Sequence, residues 1–189
     1  VDGTTYRLPK PFMVLATQNP VEYLGTFPLP EAQIDRFFLR ITMGYPEPHE
    51  EQGIIERNLA GNPLDDLMPV TSGTRVLQLQ EDVKAVYMDP SVSEYVVTIT
   101  GKTRTHPDVS LGASIRGSLC LARAARAWAY YQGRDFTVPD DVKKMAEPVL
   151  SHRMILKQEA KLKRVTPQAI IRWILDTTKV PVMERYVEK

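Results

Sequence analysis

Apolar side chains recur every third or fourth residue through most of this chain, the spacing that gathers them on one face of an α-helix. The pattern predicts a charged amphipathic helix through "HEEQGIIERNLA", stopped by Gly61-Asn62-Pro63. A second runs through "TRVLQLQEDVKAV" with Thr71 or Ser72 as its cap, and Asp89-Pro90-Ser91 opens a third that continues past Tyr95 and Ile99. The longest lies in "ASIRGSLCLARAARAWAYYQG", where Leu119, Ala122, Arg123, Arg126 and Tyr130 keep helical spacing and Gly133 makes a natural stop. Pro139, preceded by Thr137 or Val138 and followed by Asp140 and Asp141, begins another, because a first-turn proline and acidic residues suit a helix N-terminus. A final helix spans Pro167 to Thr178.

The first 45 residues read differently. "FMVLAT", residues 12–17, is a short apolar run of the kind buried on both faces of a parallel sheet, and "FFLRITM", residues 37–43, is a second strand candidate. Between them the prolines and glycine allow a loop, then a short helical turn near Pro30 to Arg36. "GYPEP", Gly44 to Pro48, reads as a linker. The expected fold is therefore mostly α: a small α/β piece with two or three strands over residues 1–45, then an all-helical bundle over 46–189. No internal repeat or low-complexity tract interrupts it.

One tract carries two patterns. In "EYVVTITGKTRTHP", the β-branched run before Gly101-Lys102-Thr103 imitates a strand feeding a phosphate loop. Such a loop needs a second glycine five positions upstream to wrap its backbone around phosphate, and Val96 stands there. An ordinary exposed turn or helix is the other reading.

Composition narrows the function classes. With 43% hydrophobic and 25% charged residues and a net charge of +1, the chain has the balance of a globular domain and no global field for nucleic acid or an anionic membrane. The "KQEAKLKR" cluster includes Glu159 and suits a solvated face. No apolar run approaches the roughly 20 residues that cross a bilayer. The lone Cys120, between two leucines, excludes an intrachain disulfide and points to a reducing, cytoplasmic setting. His49, His106 and His152 are too scattered for zinc-ligand spacing, so no metal site is expected, and no serine sits in a nucleophile elbow. "VDGTTYRLPKPF" has neither a signal-peptide layout nor an initiator methionine and reads as a hairpin arm, which suggests that the chain starts inside a larger protein.

Three residues attract chemical notice. Asn19, in "ATQNP", follows the first strand candidate, on the edge where open α/β sheets bind ligands; alternatively, Asn19-Pro20 merely starts a turn. Arg36, in "EAQIDRF", and Arg116, in "LGASIRGS", carry planar guanidinium forks suited to phosphate, although a surface ion pair is the commoner fate of an arginine. Arg116 follows Ser114, a candidate cap, in the first turn of the longest helix, where the dipole disfavours a cation unless an anion is near.

Three strings together, "VLATQNPVEYLGTFPLPEAQIDRF", "GYPEPHEEQGII" and "TRTHPDVSLGASIRGSLCLARAARAWAYYQGRDFTVPDDVKKMAEPVLSHR", resemble the MoxR family of AAA+ ATPases over nearly the whole chain. The resemblance implies that residues 1–45 are the C-terminal remnant of an AAA+ core and 46–189 the helical lid. It implies catalytic roles for Asn19 as sensor 1 and Arg36 as an arginine finger reaching the neighbouring subunit, and a nucleotide-binding role for Arg116 as sensor 2. The lid segment around Gly101 is implied to be helical, with no phosphate role for Lys102. Ile115 stands where the family usually has proline, and the 189 residues contain no Walker A loop and no Walker B acidic cluster. The implied intact protein uses ATP and Mg2+, assembles with identical subunits into a ring, a hexamer, and remodels or matures a client that the sequence does not name. This chain alone is expected to bind no nucleotide and to be inactive. The competing expectation is a helical interaction module without ATPase activity, anchored through Trp128, Tyr130, Tyr131 or Trp173; at helical spacing those aromatics are otherwise expected in the core.

Overall fold

The computed structural model describes residues 3–18 and 29–182. The chain divides into two compact units, residues 1–15 with 41–80 and residues 16–40 with 81–189.

In the first unit, α2 (Pro48–Ala60) starts at Glu47, whose backbone N–H donates to the Glu50 carboxylate at 3.0 Å, and stops at Gly61. Helix α3 (Gly73–Ala85) extends beyond this unit; the Ser72 hydroxyl accepts from Arg75 N–H at 3.2 Å, so Ser72 rather than Thr71 caps it. Neither helix buries a residue.

The strand expected over 12–17 is absent. Those residues form no ladder, and Phe12, Met13, Val14 and Leu15 are all exposed, Leu15 at 88%. The second expected strand, 37–43, is likewise unpaired. A parallel strand owes its geometry to a ladder of hydrogen bonds with a neighbouring strand, and among the described residues neither segment lies beside one. Between them, α1 (Glu31–Ile34) is one helical turn preceded by Pro30.

The second unit contains the core. Helix α4 (Pro90–Thr105) is nucleated by Asp89, whose carboxylate accepts from Ser91 N–H at 2.9 Å, with Pro90 at the first position. Helical phase wins over β propensity across Val96–Thr100 because one face of the helix, Val92, Tyr95, Val96, Ile99, Thr100 and Thr103, is buried. The buried hydroxyls are satisfied locally: Thr100 Oγ1 meets Val96 O at 3.0 Å, and Thr103 Oγ1 donates to Thr100 O at 2.6 Å while accepting from Ala113 N at 3.0 Å. Gly101-Lys102-Thr103 therefore lies within a helix, and Lys102 Nζ donates to Thr177 O at the end of the last helix, 2.9 Å away.

A three-residue strand, β1 (Val109–Leu111), leads into α5 (Ile115–Tyr131). Helix α5 closes as its sequence anticipates: Gly133 takes φ +75°, its N–H meets Tyr130 O, and Arg134 N–H reaches back to Ala129 O. Helix α6 (Pro139–Leu150) packs along α5, bringing Val142, Ala146, Val149 and Leu150 into the same buried cluster as Cys120, Leu121, Ala124 and Ala125. Its start is pinned by Asp141, nearly fully buried, which accepts from Val138 N–H at 2.8 Å and pairs with Arg134. After a 3-10 turn, Ser151–Arg153, strand β2 (Ile155–Leu156) pairs antiparallel with β1, Val109 opposite Leu156. The short α7 (Gln158–Leu162) and then α8 (Pro167–Thr177), capped by Thr166, close the cluster with Ile170, Ile171 and Ile174. The bundle is thus not all-helical, since this small ladder ties the α4–α5 connection to the segment after α6.

The anchor candidates Trp128, Tyr130, Tyr131 and Trp173 are not core residues. Tyr131 is exposed, Trp128 stacks on it with ring centres 5.2 Å apart, and half-exposed Trp173 meets His106 edge-on at 5.1 Å. Alanine-rich α5 buries Ala124, Ala125 and Ala129 instead, and its large rings fall on the flank.

Candidate functional site

Single-turn α1 has little stability of its own, because one helical turn fixes several dihedrals for very few hydrogen bonds. Arg153 holds the segment that follows it. This side chain is wholly buried, at the end of the 3-10 turn after α6. Its Nε donates to Val149 O at 2.8 Å, Nη1 to Asp35 Oδ1 at 2.8 Å and to the Asp35 carbonyl, and Nη2 to the Phe37 carbonyl and to Phe38 O at 3.2 Å. Gly117 makes room for the arginine stem: a Cβ there would lie 3.3 Å from Arg153 Cδ and 3.0 Å from Ala113 Cβ. Arg40 N–H adds a further tie to Pro148 O at 2.8 Å.

The same Asp35 carboxylate takes a second arginine. Arg116, in the first turn of α5, donates from Nη1 to Asp35 Oδ2 at 2.8 Å, with its side chain 51% exposed. Ser114 sits at the N-cap position with extended backbone, yet its hydroxyl accepts no helix N–H and lies 3.4–3.5 Å from the same carboxylate. The expected cap is therefore a cap by position alone, and the helix dipole at this end is met by Asp35.

Arg36, the next residue, is exposed, and among the described residues its guanidinium makes no hydrogen bond or ion pair. The structure thus places Arg116 on the carboxylate of Asp35, the residue before Arg36, whereas Asn19 lies outside the described residues. Beside them His152 Nε2 contacts Phe37 O at 3.2 Å, and its buried Nδ1 has no partner among the described residues. Burial is the main cause that holds this imidazole below its ordinary 6.5; nearby Arg153 and Arg40 push the same way, against the Phe37 hydrogen bond and Asp35. Asp35 and Arg153 were not singled out by sequence. The "DRF" and "SHR" strings name them only as charged neighbours of other residues, and their pairing spans 118 positions.

Residues 101–174 match the AAA lid domain family, and residues 1–39 match the ATPase family associated with various cellular activities (AAA). Among curated relatives, chaperone MoxR1 of Mycobacterium tuberculosis is 37% identical over 190 residues, covering 96% of this chain and 50% of its own length. Protein MoxR of Methylorubrum extorquens is 30% identical, covering 93% and 57% respectively. The chain belongs to the MoxR family of AAA+ ATPases. Another relative, the uncharacterized protein YeaC of Bacillus subtilis, is 46% identical over 99% of this chain and 58% of its own. A crystal structure of a candidate ATPase from Cytophaga hutchinsonii superposes with a TM-score of 0.88 at 34% identity, over 95% of this chain and 57% of that one. The chain therefore spans about half the length of the MoxR relatives that it matches. Arg36 falls within the AAA match, and Arg116 and Arg153 within the lid match. No helix among the described residues is long and apolar enough to cross a membrane.

Proposed function

We propose that this chain is the C-terminal portion of a MoxR-type AAA+ ATPase, residues 1–45 ending the core and 46–189 forming the lid, whose ATP hydrolysis drives chaperone-like remodelling or maturation of a partner protein. The observation that carries the reading is that Asp35 accepts from Arg116 while the next residue, Arg36, presents its side chain to solvent. Arg116 is half exposed at a helix N-terminus, and Arg36 is exposed with a guanidinium that pairs with none of the described residues. Both are the type of group that meets the charge developing on a transferred phosphoryl group.

In this reading Asn19 orients the attacking water, Arg116 contacts the phosphates bound by its own subunit, and Arg36 reaches the nucleotide of the next subunit. Bound ATP would supply the scissile phosphoanhydride bond, and Mg2+ would offset the charge of its phosphates. These residues fit only the outer part of that site. Lys102, the one lysine in a Gly-Lys-Thr string, is committed to Thr177 O, so it does not serve as a phosphate-loop lysine. Without an anchored nucleotide the three side chains have nothing to act on, and the isolated 189 residues would bind ATP weakly or not at all. A finger supplied in trans requires a head-to-tail contact that closes, hence a ring, with six subunits as the family suggests, in the cytoplasm. The lid would turn against the core about Gly44–Pro48, converting phosphate contacts into motion.

Arg36→Ala in the intact ATPase is expected to lower kcat by at least about 100-fold while nucleotide affinity stays within about twofold, as for a group that acts only in the transition state. Equal losses in binding and turnover would count against the finger role. The exposed Tyr131 and Trp173 favour a second reading, a helical interaction module without turnover. ATP hydrolysis by the intact protein that disappears in Arg36→Ala excludes it.

A further inference from the structure

Asp35 is placed to do more than neutralise one arginine. Its two carboxylate oxygens are divided between a buried cation and an accessible one: Arg153 on Oδ1 and Arg116 on Oδ2, each at 2.8 Å. Arg153 also holds the carbonyls of Asp35, Phe37 and Phe38, so the backbone is gripped on both sides of Arg36 while that side chain faces outward. We propose that Asp35, anchored by Arg153, is a positioning residue for both functional arginines, and that nucleotide phosphate must displace its carboxylate to engage Arg116. The proposal rests on the reading of Arg116 and Arg36 given above.

The physical basis is competition for one guanidinium. Arg116 stands where the α5 dipole disfavours an unpaired cation, so it holds to whichever anion is nearest. With no phosphate present that anion is Asp35. A bound polyphosphate offers a higher charge and a matching fork, and when Arg116 transfers to it Asp35 keeps Arg153 and loses one of its two arginines. Because Asp35 and Arg36 share a peptide bond at the end of α1, the residue that registers the subunit's own nucleotide is next to the residue offered to its neighbour. Arg153 supplies the fixed point, since its guanidinium has no exposed surface from which to follow the phosphate.

The test is Asp35→Asn in the intact ATPase, with mant-ADP affinity measured by fluorescence titration and kcat by steady-state ATP turnover. Affinity is expected to rise about 2- to 5-fold, the effect of freeing a half-exposed ion pair. Turnover is expected to fall at least about 10-fold as the Arg36 segment loses its tether. General damage to the fold would weaken binding and turnover together, so the opposite signs are the signature. The double variant Asp35→Asn/Arg116→Ala is expected to bind mant-ADP no more tightly than Arg116→Ala. If Arg116→Ala alone leaves affinity unchanged, the phosphate role of Arg116 fails. If it weakens binding but Asp35→Asn fails to tighten it, or tightens it equally without Arg116, the positioning role of Asp35 is overturned. Should Asp35→Asn not fold, hydrogen exchange on the wild-type protein decides: ADP is expected to speed amide exchange over residues 33–36 by at least about twofold, and identical exchange with and without ADP overturns the proposal.

Discussion

Arg153 shows how one side chain can hold a segment that has almost no secondary structure of its own. A buried guanidinium is tolerated only when its donors are met, and here Nε, Nη1 and Nη2 all find acceptors, one of them a carboxylate. Arg153→Ala is expected to cost about 3–5 kcal/mol in a denaturant titration, because four carbonyls and the Asp35 carboxylate lose their buried partner. A loss below about 1 kcal/mol would show that water replaces the guanidinium freely. Arg116→Ala should barely move the same midpoint, since its pair with Asp35 is half exposed and such pairs contribute little to stability. His152 gives the segment a pH dependence. Its folded-state pKa lies below the ordinary 6.5, so just below pH 6.5 the unfolded chain binds more protons than the folded one. This contribution to stability is complete above about pH 6.5 and is lost as the pH falls below it. Urea midpoints should accordingly decline between pH 7.5 and 5.5, and His152→Gln should flatten that slope; an unchanged slope contradicts the assignment.

The helices show which signals a linear sequence carries well. Caps and stops at Asp89, Pro139, Gly133 and Pro167 were legible because each acts within a few residues of itself. The mixed tract around Gly101 resolved as helix because its helical face meets the core. Strands were misplaced for the opposite reason: apolar runs at 12–17 and 37–43 have the composition of buried strands, yet pairing depends on partners that composition cannot name. The ladder that does form, β1 with β2, is too short to leave a period-2 signature. The site divides in the same way. Arg36 and Arg116 are suggested by residue type and the family motif, whereas Asp35 and Arg153 emerge only from contacts across the fold. A close approach at Gly112 belongs to this scale as well: a Cβ there would stand 2.6 Å from Arg104 N and Cα, so the turn from β1 into α5 depends on glycine. Gly112→Ala is expected to destabilise by about 1–3 kcal/mol or more, read as a lowered melting midpoint, because backbone rather than a flexible side chain must yield. A neutral effect would mean that the α4–α5 connection is looser than this contact requires.

At the scale of the whole molecule, the proposed chemistry belongs to an assembly rather than to these 189 residues. Asn19 and Arg116 are assigned to the nucleotide of their own subunit and Arg36 to that of the next, so a lone subunit would hold an incomplete site. The most direct measurement mixes two inactive forms of the intact ATPase, one carrying Arg36→Ala and the other lacking a working Walker A lysine. In a mixed ring, some sites combine a competent nucleotide pocket with a neighbour's intact arginine. Recovery of ATP turnover in the mixture, with neither variant active alone, is the expected result; a mixture as inactive as its components, despite demonstrated co-assembly, would contradict action of Arg36 across the subunit boundary.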